Sequence, residues 1–87
     1  MAKVIARVKI LPKEITTKPE EILNSIQGFK ILRYQIEPIA FGLNAIIADF
    51  ELEDAEGGTD PLEQALLAND LISEIEIIGV SNARTKI

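Results

Sequence analysis

Hydrophobic and polar residues alternate along this chain in blocks whose period changes at turn residues. From 3 to 11, Val4, Ala6, Val8 and Ile10 alternate with Lys3, Ile5, Arg7 and Lys9, a period of two that predicts a half-buried strand closed by Pro12. Thr17-Lys18-Pro19-Glu20 has the spacing of a capping box, in which a hydroxyl and a carboxylate satisfy the orphan amides of a helix start. The helix is expected to run to about Gln27, turning Ile22, Leu23 and Ile26 towards a core, with Gly28 as its stop. Alternation resumes over 29–37 and ends at Pro38, then again over 43–53. In the second of these strands Leu43, Ala45 and Ile47 share one face and Ile46, Ala48, Phe50 and Leu52 the other.

Gly57-Gly58 break that strand, and Asp60-Pro61-Leu62-Glu63 opens a second helix with Asp60 as cap, Pro at the first turn and Glu behind it. Leu62, Ala65, Leu66 and Leu67 are expected to face inward. A last strand covers 72–80, and a flexible tail is expected over 81–87. The order βαββαβ, in 87 residues without repeat or linker, predicts a single domain over 1–87. Its fold class is α+β: a ferredoxin-like sandwich with a four-stranded antiparallel sheet and both helices on one face.

Composition narrows the chemistry. With 47% hydrophobic and 26% charged residues the chain reads as an ordinary globular domain. At this length it buries roughly 60–65% of its unfolded surface, enough for one core and too little for a deep substrate cavity. The absence of Cys removes disulfides and thiolate chemistry, and the absence of His removes the usual proton shuttle and the commonest metal ligand. No apolar run approaches a membrane span or a signal peptide, so the cytoplasm is the expected location, with no membrane partner.

The net charge of −5 is unevenly distributed. Lys3, Arg7, Lys9, Lys13, Lys18, Lys30 and Arg33 crowd the first third, whereas residues 34–83 hold eleven acids and no Lys or Arg. Arg84 and Lys86 then restore positive charge in the tail. A single Tyr and no Trp leave no stacking platform beside a basic stripe, which argues against direct nucleic-acid binding.

Two enzyme readings fail on spacing. An acylphosphatase of this fold needs a phosphate-cradling loop with an Arg after the first strand, but residues 11–15 offer neither Gly nor Arg. The carboxylates Asp49, Glu51, Glu53, Asp54, Glu56, Asp60 and Glu63 could ligate a hard cation, yet they lack the alternation of a calcium loop. They read as a solvated strand face plus a helix cap, with no metal and no cofactor.

Two turn-like segments carry more information. Pro38-Ile39-Ala40-Phe41-Gly42-Leu43-Asn44-Ala45 sets an apolar ring in a sharp turn, and Glu56-Gly57-Gly58-Thr59-Asp60 joins a strand to a helix. At this separation and in a chain this short, they resemble the guanine nucleotide exchange domain of the elongation factor 1-beta family, in its archaeal-type form. The leading Val4, Ala6 and Val8 and the closing Glu74-Ile75-Glu76-Ile77 agree more loosely, so that the resemblance covers nearly the whole chain.

That resemblance implies a nucleotide exchange factor for translation elongation. It would bind the GDP-bound and nucleotide-free forms of the elongation factor 1-alpha GTPase and promote GDP release, without cofactor or covalent chemistry. It implies a partner-binding loop at Phe41 and Gly42, with the Phe41 ring docking into the GTPase rather than folding back onto the sheet edge. It further implies a cation in the tail, Lys86 or otherwise Arg84, that reaches the magnesium and phosphate site. The alternative from the residues alone is a non-catalytic ferredoxin-like protein-interaction module.

Overall fold

The computed structural model describes residues 3–53 and 58–82. Strand β1 (Lys3–Pro12), helix α1 (Pro19–Ser25), strands β2 (Lys30–Pro38) and β3 (Asn44–Glu53), helix α2 (Asp60–Leu67) and strand β4 (Ile72–Asn82) follow in that order. All neighbouring strands are antiparallel, and their spatial order is β2-β3-β1-β4. This is the ferredoxin-like α+β sandwich, with α1 lying over β3 and α2 over β4.

Alternation decides which side of the sheet meets the helices. Ala6, Val8 and Ile10 of β1 pair with Phe50, Ala48 and Ile46 of β3, and all six are fully buried beneath Ile22, Leu62 and Leu66 of the helices. The opposite face carries the charges. Arg7 pairs with Asp49 across β1 and β3, and Arg33 pairs with the same Asp49 from β2. Both guanidiniums close on that carboxylate, Nε to oxygen 2.8 Å in each case. Lys3 and Lys30 flank Glu51 at 3.5 and 3.9 Å, and Lys9 reaches over the central strand to Glu37 at 3.8 Å.

The uneven charge of the sequence thus folds into cross-strand pairs, cationic β1 and β2 on either side of anionic β3. This corrects the expectation of a solvated acidic face at Asp49. Asp49 is 3% exposed, covered by two arginines that stay largely in solvent. The Arg7 hydrogen bonds hold its pKa below the ordinary value against the opposing effect of burial, and the charges of Arg7 and Arg33 act in the same direction as the bonds.

Element ends also differ from the sequence expectation. Helix α1 is capped one residue later, where the Glu21 carboxylate accepts the Lys18 amide at 2.9 Å, and it stops at Ser25 rather than Gln27. Gly28 still takes the left-handed conformation, φ 85°, but in the loop beyond. Asp60 is the first residue of α2 rather than its cap, a place held by Thr59, whose hydroxyl donates to Glu63. Ala65 and Leu67 face solvent, because a helix lying on a sheet buries only the stripe of Leu62 and Leu66. Strand β4 continues to Asn82, so Ser81 and Asn82, expected in the tail, belong to the sheet.

Candidate functional site

Strands β2 and β3 form a hairpin whose last pair is Pro38 with Asn44. The five residues between them are locked at the base, where the Ile39 amide donates to the Leu43 carbonyl at 2.8 Å and the Leu43 amide to the Ala40 carbonyl at 3.3 Å. Ala40–Gly42 coil into a single tight turn. Within it Phe41 and Gly42 take consecutive left-handed conformations, φ 64° and 78°. Gly42 is dictated by that backbone, since a Cβ placed there would meet nothing within 4 Å.

Phe41 has no such licence. A bulky residue in the left-handed region costs about 1–2 kcal/mol, and its ring is 92% exposed. The ring therefore does not fold back onto the sheet edge. Two unfavourable features coincide on one residue, and the rest of the hairpin holds it there.

Strand direction fixes what lies at the other end of the sheet. Asn82 pairs with Val4, which pairs with Leu52, near the end of β3 farthest from the hairpin tip. From Asn44 to Leu52 the sheet runs roughly 25–30 Å at the ordinary rise per residue. The chain thus leaves β4 at the end opposite Phe41. Arg84 and Lys86, the other two residues singled out in the sequence, lie outside the described residues.

Among the described residues no three carboxylates gather closely enough to hold a metal, and Asp49 and Glu51 are both engaged by cations. Among the same residues no helix is long and apolar enough to cross a membrane. Sequence reasoning missed the half-exposed Tyr34 and Ile36 of β2. Their alternation signalled a strand, but nothing in it told that this strand would lie at the sheet edge.

Residues 5–82 match the model of the EF-1 guanine nucleotide exchange domain. The chain belongs to that family. Among relatives, a protein named elongation factor 1-beta from Staphylothermus marinus is 41% identical over 86 residues, spanning 92% of this chain and 96% of that protein. A protein of the same name from Methanocaldococcus jannaschii is 39% identical over 90 residues, spanning 95% of this chain and all of that one. Membership of the EF-1 exchange family gives the chain a nucleotide exchange role in translation elongation.

Proposed function

We propose that the chain promotes GDP release from the elongation factor 1-alpha GTPase, with residues 1–87 acting as one exchange domain. The observation that carries the reading is Phe41, an exposed ring on a strained but locked hairpin tip. A loop backbone already closed by its own hydrogen bonds loses little further freedom when the ring docks, which favours Phe41 as an anchor in a pocket of the GTPase. Gly42 supplies the turn that presents it.

The tail provides the second contact. It departs at the far end of the sheet, so one GTPase taking both Phe41 and the tail lies along the sheet's length. A docking point remote from the nucleotide then holds the tail cation, Lys86 or otherwise Arg84, close to the magnesium and phosphates. Exchange needs no covalent step and no cofactor. It follows from differential binding, in which the nucleotide-free GTPase is held more tightly than the GDP-bound form, so that each ligand lowers the other's affinity.

Stopped-flow release of a fluorescent GDP from elongation factor 1-alpha tests the reading. Excess chain is expected to accelerate release many-fold. An unchanged rate would leave the chain as an interaction module without exchange activity.

A further inference from the structure

The core ends abruptly at β3. On the helix side, Ile46 and Ala48 of β3 are fully buried, but the β2 residues paired with them, Ile36 and Tyr34, are 39% and 48% exposed. Helix α1, seven residues from Pro19 to Ser25, packs over β3, and β2 beyond it is the edge strand of the sheet. Beside it an open depression of about 520 Å³ is lined by Leu23, Ile31, Leu32 and Tyr34, with Asn24 and Arg33 as its polar members. The strip from Tyr34 through Ile36 and Pro38 is uncharged, because Glu37 pairs with Ala45 on the other face. It runs directly into the loop carrying Phe41, and the five residue steps from Ile36 to Phe41 can span at most about 17 Å.

We infer that the helix-side face of β2, through Tyr34 and Ile36, continues the Phe41 docking surface and receives an apolar surface of the same GTPase. The inference rests on the exchange reading above. Single exposed apolar side chains are ordinary on any protein, but these three lie in sequence along one arm, share no charge and end in a strained anchor. Continuity with that anchor selects the GTPase as occupant over a second copy of this chain. The Tyr34 hydroxyl offers the one polar handle on the strip, suited to an interface whose rim is wet.

The test measures affinity for the GDP-bound GTPase and the release rate at saturation, for wild type, Ile36→Thr, Tyr34→Thr and Leu67→Gln, with Tm and sedimentation recorded for each. The first two substitutions keep strand propensity and are expected to raise Kd about 5- to 10-fold each. The saturated release rate should stay within about two-fold, because the strip supplies binding energy common to both nucleotide states. Leu67→Gln, on the exposed side of α2, should match wild type. Tyr34→Thr carries the test if Ile36→Thr disturbs the strand. Wild-type affinity in both strip variants overturns the inference and leaves the exchange reading standing, whereas a wild-type chain that does not alter GDP release overturns both. A wild-type dimer that Ile36→Thr converts to monomer makes a second copy the occupant and equally overturns it.

Discussion

Arg7 and Asp49 face each other across the two central strands with a two-pronged contact, Nε to Oδ1 at 2.8 Å and Nη2 to Oδ2 at 3.1 Å. Arg33 closes on the same carboxylate from β2, at 2.8 Å. The carboxylate is buried while both guanidiniums keep one side in water, so the cations remain hydrated and the anion is satisfied.

This arrangement predicts an acid dependence of stability. The folded pKa of Asp49 lies below its unfolded value, so its contribution is fully present above the unfolded pKa of roughly 4 and is lost as pH falls through the lower folded value. Asp49→Asn is expected to cost about 1–2 kcal/mol at neutral pH, a modest figure because the arginines are half exposed. Thermal melts of wild type and variant should differ at pH 7 and converge as the pH is taken down through the folded pKa. Parallel melting curves at all pH values would contradict the assignment.

Phe41 should separate docking from folding. Phe41→Asn removes the ring and places at φ 64° a residue that tolerates the left-handed region, so Tm should hold or rise slightly. Affinity for the GTPase should fall by about 2 kcal/mol or more. Calorimetry on the free variant and binding on the same sample check both halves, and a loss of Tm without loss of affinity would place the ring's role inside the fold.

Phe50 is the internal counterpart. It is fully buried between the sheet and the helices, so Phe50→Ala is expected to cost about 3–5 kcal/mol of folding stability. Denaturant melts read this directly. Two phenylalanines nine positions apart thus give opposite phenotypes, one in stability and one in affinity.

Element order was legible from alternation because each strand buries one face, as at Ala6, Val8 and Ile10, and a one-residue slip would expose all three. The ends were less legible. Thr17 and Asp60 both look like caps, but which residue caps depends on how the loop enters the helix, and Lys18 and Thr59 hold those places. The fate of Asp49 was invisible for another reason. Strand pairing brings it between Arg7 and Arg33, forty-two and sixteen positions away, and no local spacing records that. Phe41 stood out as a candidate because a ring beside Gly in a turn has few neighbours to pack against, whereas its left-handed backbone is a property of the closed hairpin. Tyr34 and Ile36 read as an ordinary strand pattern, since the place of β2 at the sheet edge leaves no mark on its own alternation.

The tail is the last point of test. Among the described residues the pairing of β4 with β1 runs to Asn82 with Val4, so deletion of residues 83–87 leaves that ladder whole and should leave Tm close to wild type. It removes Arg84 and Lys86, the two cations that follow the acidic stretch. A Lys ammonium is a compact point charge on a flexible stem, able to compete for a metal's place without offering the phosphates the metal's coordination. The truncated chain is therefore expected to bind the GTPase through Phe41 but to release GDP more slowly, with a rate less sensitive to free magnesium than that of the full chain. Single replacements Lys86→Ala and Arg84→Ala apportion the effect between the two. A truncated chain that exchanges at the full rate across a magnesium titration would remove the tail from the mechanism and leave the hairpin and the sheet beside it to perturb the nucleotide site from a distance.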